Sequence, residues 1–104
     1  MSTVVTLLYP VPAESAKPFD MEYYLGTHIP MVDKAWSNAG LKKWQVVKLD
    51  PKSGYDTQCT LVWENTEVFA KAMEDDAGKK ILADIPNFST VSAVRVWGSL
   101  VKEN

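Results

Sequence analysis

The order of the extended and helical patterns along this chain is the feature that most restricts its fold. Residues 3–9 are β-branched or apolar at consecutive positions, which is typical of a central strand covered on two sides. The later patterns predict a helix over 21–38, strands over 42–49 and 57–64, a helix from 65 or 66 to about 76, a short helical turn over 79–84, and a final strand over 90–101. The predicted order is therefore β-α-β-β-α-β.

That order is typical of the split βαβ, or ferredoxin-like, α+β fold, in which a four-stranded antiparallel sheet carries both helices on one face. A chain of 104 residues supplies one hydrophobic core, so we expect a single domain over residues 1–104. The face without helices would expose the apolar side chains of the first and last strands, and such patches usually mark interfaces. We therefore expect a homodimer in which two sheets pack face to face as a dimeric α/β barrel.

The ends of the predicted helices carry recognisable signals. Asp20 is suited to cap the first helix, with Phe19 and Tyr24 spaced as a hydrophobic staple across the cap. Pro30 lies inside the same helix and removes a backbone donor, which predicts a kink or break over 26–29. Gly40 is predicted to end the first helix and Gly78 the second.

Composition excludes several classes of function. The formal charge is −2, with lysines and acidic residues interleaved, so neither nucleic acid nor a membrane surface is an expected partner. No apolar segment approaches a transmembrane length, and the amino terminus does not resemble a secretion signal, so we expect a cytoplasmic protein. Cys59 is the only cysteine, so no internal disulfide can form, and with a single histidine a zinc site would have to rest on scattered carboxylates. No phosphate-binding or Ser-His-Asp motif is present. No metal or cofactor is expected.

His28 is the only side chain that titrates near neutral pH without perturbation, which makes it the candidate for acid-base catalysis. Tyr24 lies one helical turn before it, and a buried phenol needs a hydrogen-bond partner that His28 could supply. The sequence therefore predicts a catalytic Tyr24–His28 pair. The alternative is structural: His28 would bond to a carbonyl freed by Pro30, and Tyr24 would be a core aromatic.

The large share of aromatic side chains fits a flat, apolar ligand, because small-molecule sites are mostly apolar with a few polar groups. The predicted ligand-binding residues are Tyr9, Tyr23, Met31, Trp36, Trp44 and Phe69. Aromatic residues are also enriched at interface centres, and the predicted dimer-interface residues are Trp63, Arg95 and Trp97. Arg95, the sole arginine, could instead bind a substrate carboxylate, although interface pairing is favoured.

Two segments resemble a known family. Residues 19–25, Phe-Asp-Met-Glu-Tyr-Tyr-Leu, and 27–32, Thr-His-Ile-Pro-Met-Val, are similar to the first-helix signature of the EthD family, which is named for ethyl tert-butyl ether degradation. The resemblance implies a ferredoxin-like subunit, a homodimer, and a link to the catabolism of xenobiotic or aromatic compounds. Related barrels include cofactor-independent monooxygenases and decarboxylase- or dehydratase-like proteins, so the resemblance leaves the reaction open.

Two functions are compatible with these patterns. In the first, an enzyme without a bound cofactor uses His28 and Tyr24 for proton transfer on an apolar, oxygen-bearing compound, which could be aromatic or an ether. In the second, a non-catalytic homodimer binds or sequesters a hydrophobic metabolite, or assists a degradation oxygenase. Turnover by variants of the two residues would separate these functions.

Overall fold

A four-stranded antiparallel sheet forms the centre of the molecule, whose computed structural model describes residues 1–104. The strands are β1 (Thr3–Pro10), β2 (Leu41–Lys48), β3 (Tyr55–Trp63) and β4 (Val94–Ser99). They lie in the order β2-β3-β1-β4, so β1 and β3 are central. The helices pack on one face of the sheet. This is the predicted ferredoxin-like α+β fold, and no helix in it is long and apolar enough to span a membrane.

The first helical run has three parts: α1 (Met21–Tyr23), a π-helical turn (Tyr24–His28) and α2 (Ile29–Trp36). At its start the Asp20 carboxylate accepts a hydrogen bond from the Tyr23 backbone N–H at 3.0 Å, and the Phe19 and Tyr24 rings pack 5.1 Å apart. Both are the predicted capping contacts. Its end is followed by Gly40 at φ 105°, where a Cβ would lie 2.6 Å from a Val68 methyl group.

The expected break near Pro30 takes the form of a widened turn. The N–H of Ile29 donates to the carbonyl of Tyr24, five residues back, which is the hydrogen bond of a π turn. Pro30 has no N–H to donate to Gly26, and the widened turn accommodates this loss without ending the helix. Tyr24 and His28, at the two ends of this turn, are both buried.

The second helical region differs from the prediction. It consists of α3 (Thr66–Glu74) and α4 (Asp76–Ala83), separated at Asp75, where ψ is 170°. Gly78 lies inside α4 and does not end a helix, so that prediction is wrong. Its N–H donates to the Asp75 carboxylate at 2.7 Å, and a Cβ there would lie 1.9 Å from the carbonyl oxygen of Ala72. Close packing of two helix ends, and not termination, explains this glycine.

The chain after α4 also departs from the expected long strand. A 3-10 turn occupies Ile85–Asn87, and Ser89 forms two hydrogen bonds with the backbone of Val91. β4 consequently begins at Val94 and has six residues. The turn brings Asp84 and Phe88 towards the first helical run.

Strand register corrects the placement of the three predicted interface residues. Val5 on β1, which is 1% exposed beneath the helices, pairs with Trp97, and Leu7 pairs with Arg95. Residues directly opposite each other in antiparallel strands share a face, so Arg95 and Trp97 lie on the helix-covered face. Trp63 lies on that face too and is fully buried. None of the three is on the open face of the sheet.

Candidate active site between the helices and the sheet

A small cavity of about 50 Å³ lies between the helices and the sheet. Thirteen of its fifteen lining residues are hydrophobic, aromatic or a thiol, and the other two are His28 and Arg95. The lining residues are Val5, Leu7, Tyr9, Tyr24, His28, Ile29, Val32, Trp36, Cys59, Phe69, Met73, Ile81, Leu82, Ile85 and Arg95. A mostly apolar lining with few polar groups is characteristic of small-molecule sites.

His28 is held in this cavity by a carboxylate. Its Nδ1 lies 2.9 Å from Oδ2 of Asp84, which follows α4, and the two side chains are 6% and 10% exposed. The Phe88 ring packs against the imidazole at a centroid distance of 4.5 Å. The other ring nitrogen, Nε2, makes no hydrogen bond to the protein. The imidazole is therefore anchored on one side and free on the other.

Asp84 has two further donors that fix its orientation. The Tyr23 hydroxyl donates to Oδ1 at 2.6 Å, and the Asn87 side-chain amide donates to the same oxygen at 2.9 Å. Burial by itself would raise the pKa of Asp84, but the hydrogen bonds from Tyr23, Asn87 and His28 outweigh it and hold that pKa below its usual value. Asp84 is therefore ionised at neutral pH.

Burial has the larger influence on His28. It lowers the pKa of the imidazole from the usual 6.5, and the opposing contributions of the Asp84 hydrogen bond and charge only partly offset it. At neutral pH His28 is neutral. Because an ionised Asp84 can only accept hydrogen bonds, Nδ1 must carry the proton, which leaves a lone pair on Nε2. This is the protonation state of a general base.

Tyr24 contacts His28 by stacking. The two rings are 15° from parallel with centroids 5.4 Å apart, and the predicted Tyr24–His28 hydrogen bond is not formed. The Tyr24 hydroxyl is directed at Cys59 and Tyr9. Burial, and then the neighbouring Cys59, raise the pKa of both phenols, so Tyr24 and Tyr9 stay protonated at any pH the protein experiences.

Comparisons with known proteins agree with this architecture. The sequence model of the EthD domain matches residues 14–92, which is more than half of the chain. The chain belongs to the EthD family. No curated protein sequence matches it significantly.

Two solved structures illustrate the similarity within the EthD family. An EthD-like protein from Ralstonia eutropha JMP134 is 28% identical, with a TM-score of 0.83 and coverage of 99% of this chain and 95% of that one. An EthD family protein from Bacillus halodurans C-125 is 24% identical, with a TM-score of 0.76 and coverage of 97% and 100%.

A more distant neighbour shares only the fold. It is a variant of a cofactor-independent oxygenase from Streptomyces nogalater, 10% identical with a TM-score of 0.60, covering 98% of this chain and 94% of that one.

In this EthD-family chain, the residues that carry the family resemblance form the π turn and its flanks. Of the predicted ligand-binding residues, Tyr9, Trp36 and Phe69 line the cavity. The other three do not. Tyr23 lies outside the cavity against Asp84, and Met31 packs on the edge of the core. Trp44 is 38% exposed on β2 and donates its indole N–H to Asp33 at 3.0 Å.

Sequence reasoning missed Asp84 and Asn87, and for Arg95 it favoured interface pairing over binding of a substrate carboxylate. Asp84 is 56 residues from His28, and only the Ile85–Asn87 turn brings its carboxylate to the imidazole. The one local signal was a carboxylate immediately before an Ile-Pro-Asn turn, which resembles an ordinary helix end. No periodicity in the EthD-family sequence links the two positions.

Proposed function

We propose that this EthD-family protein binds a small, apolar, oxygen-bearing molecule in the cavity and that His28 removes a proton from it. The observation that carries the proposal is the His28–Asp84 pair. A neutral imidazole, oriented by a carboxylate at 2.9 Å, lines an otherwise almost entirely apolar enclosure, and its Nε2 makes no hydrogen bond to the protein. Such an arrangement favours general-base chemistry because the base is held in one tautomer and has little competing water.

The proposed step transfers a proton from a C–H or O–H bond of the ligand to Nε2. The electron pair stays on the ligand as an anion, and His28 becomes an imidazolium that is stabilised by the charge of Asp84. Tyr23 and Asn87 hold that carboxylate in place. Three reactions can include such proton transfer without a bound cofactor. Dehydration also expels hydroxide as water, and oxygenation of an activated ring takes dioxygen as the co-substrate and oxidant. In decarboxylation His28 takes the carboxyl proton, CO2 leaves, and the carbanion takes the proton back from the imidazolium.

Ligand size is limited by the cavity. A water molecule needs roughly 10–15 Å³ of such space, so about 50 Å³ holds only a few waters. A larger ligand requires outward movement of a lining residue, and Leu82 on α4 is suited to this because it is 41% exposed. Small branched or single-ring compounds, including ethers, are therefore the first molecules to assay for binding and turnover.

The pH dependence of kcat/KM tests the proposal. We expect the rate to be constant at neutral pH and to fall at lower pH with an apparent pKa below 6.5, because burial lowers the pKa of His28 and only the neutral imidazole accepts a proton. In Asp84→Asn this apparent pKa should be lower still, because the hydrogen bond and charge of Asp84 raise the pKa of His28. An apparent pKa above 6.5, or one that is unchanged in Asp84→Asn, would contradict the role of His28.

We also propose that the open face of the sheet pairs with a second copy of the chain. Val94 and Val96 on β4 are 42% and 53% exposed there, and their pairing with Leu8 and Thr6 extends this surface across β1. Monomeric proteins rarely expose an apolar surface of this kind without a function. A face-to-face pair would cover it.

Changing Val96 tests the dimer. Light scattering should give the wild type twice the chain mass of 11.6 kDa, and Val96→Lys should shift the mass towards 11.6 kDa because it buries an unpaired charge. Val101→Lys, at an exposed position after β4, is the matched control and should remain dimeric. A wild-type mass of 11.6 kDa at micromolar concentration would be evidence against the interface.

A further inference from the structure

Arg95 is the only arginine in the chain and the only cationic residue that lines the cavity apart from the titratable His28. It lies on β4 opposite Leu7, on the face covered by the helices. β4 is an edge strand, so the side chain is exposed to solvent at one end while it borders the cavity. Arg95 thus lies at the mouth of the enclosure in which His28 is buried.

The guanidinium of Arg95 has no anionic partner in the protein. The ion pairs of the structure are His28–Asp84 and Lys48–Asp56. The contacts of Arg95 are weak: Nη1 is 4.0 Å from the Met73 sulfur, and Cζ lies 5.6 Å from the centroid of the Trp97 ring. Stacking on an aromatic ring orients the planar group and leaves its N–H donors available. The guanidinium of Arg95 can therefore donate two parallel hydrogen bonds to one acceptor group of a ligand.

The charges of the cavity are arranged asymmetrically. Asp84 carries a negative charge beside His28, and Arg95 carries a positive charge at the mouth. An anionic group of a ligand would be repelled by Asp84 and attracted to Arg95. Leu7 lies opposite Arg95, and Tyr9, two residues and about 7 Å further along β1, packs against Tyr24, which stacks on His28. A molecule of single-ring size is about as long as this step along β1.

We propose that the ligand of this protein is a small apolar carboxylate whose carboxylate group binds the Arg95 guanidinium while its apolar body enters the cavity towards His28. This inference rests on the proposed binding cavity and adds the chemical class of the ligand. The carboxylate accepts two parallel hydrogen bonds from the planar guanidinium, as this pair of groups favours. The body of the ligand then contacts the aromatic lining, with its reactive atom at the end distant from the anion.

Matched pairs of ligands that differ only in charge test the proposal. Isobutyrate is compared with isobutyramide, and benzoate with benzamide, by calorimetric titration and by the shift in Tm of the full chain. The wild type should bind each acid more tightly than its amide. In Arg95→Met, which keeps a long apolar side chain, acid affinity should fall about tenfold to a hundredfold, and amide affinity should be unchanged. The affinity of Arg95→Lys for the acids should lie between those of the wild type and Arg95→Met, because lysine keeps the positive charge but lacks the planar guanidinium.

Lys79→Met on α4 is the control for net charge, because Lys79 is exposed and does not line the cavity; it should bind as the wild type does. Equal affinity for acids and amides, no binding of either acid at millimolar concentration, or unchanged acid binding in Arg95→Met would overturn the proposal. So would a monomeric Arg95→Met, which would assign the arginine to an interface.

His28→Gln separates this proposal from the general-base function, because it should keep the Arg95-dependent preference for acids even if turnover is lost or never observed.

Discussion

Replacing His28 with glutamine is expected to lower kcat by about 100- to 10,000-fold, which is the usual contribution of a positioned general base. Glutamine can still donate a hydrogen bond to Asp84, so the carboxylate is not left buried and unpaired. It has no lone pair that accepts a proton near neutral pH. Steady-state turnover of the best substrate from the panel, with Tm measured in parallel, gives the effect.

The matched control for His28→Gln is Tyr24→Phe. The ring that stacks on His28 remains, and only the hydroxyl near Cys59 and Tyr9 is lost. Because Tyr24 does not hydrogen-bond to His28, most of the turnover should survive. A His28→Gln variant with unchanged turnover and lowered Tm would leave only a structural role for the histidine. If no variant, including the wild type, turns over any compound while binding persists in both variants, the accessory ligand-binding function is supported instead.

Replacing Trp63 with alanine is expected to lower the free energy of unfolding by about 3–5 kcal/mol, the range for large-to-small changes of buried aromatic residues. Trp63 is 0% exposed and packs between Trp36 and Phe69, with ring centroids at 5.2 and 5.7 Å. Its loss removes a shared contact of two cavity-lining rings and leaves a void that rigid strands cannot close. Since small domains are stable by about 5–15 kcal/mol, the variant would be close to unfolded. Urea titration followed by circular dichroism measures the change.

Trp63→Phe is the informative comparison. The indole N–H of Trp63 is buried and has no hydrogen-bond partner. Phenylalanine removes that unpaired donor, whose burial costs roughly 1–3 kcal/mol, and this gain opposes the loss of ring volume. The variant should therefore be much less destabilised than Trp63→Ala. Equal losses in the two variants would show that packing volume, and not the unpaired N–H, dominates at this position.

Much of the fold was predictable because it depends on local chemistry. The strand patterns, the Asp20 cap with its Phe19–Tyr24 contact, and the turn at Gly40 each arise within a few residues. Errors occurred where a local signal had a tertiary explanation. Gly78 was interpreted as a helix end, yet its small size is required by the carbonyl of Ala72 across a helix junction. The shortened β4 follows from the Ile85–Asn87 turn, which packs against the first helical run.

The sequence by itself determined the element order, the family, and the fact that any acid-base proposal near neutral pH centres on His28, the only histidine. Only the tertiary structure decided which carboxylate orients that imidazole, because Asp84 reaches it across 56 residues through the meeting of two helical regions. It likewise decided the side of the sheet on which Arg95 lies. Alternation along a strand defines two faces, but the pairing of β4 with β1 determines which one the helices cover.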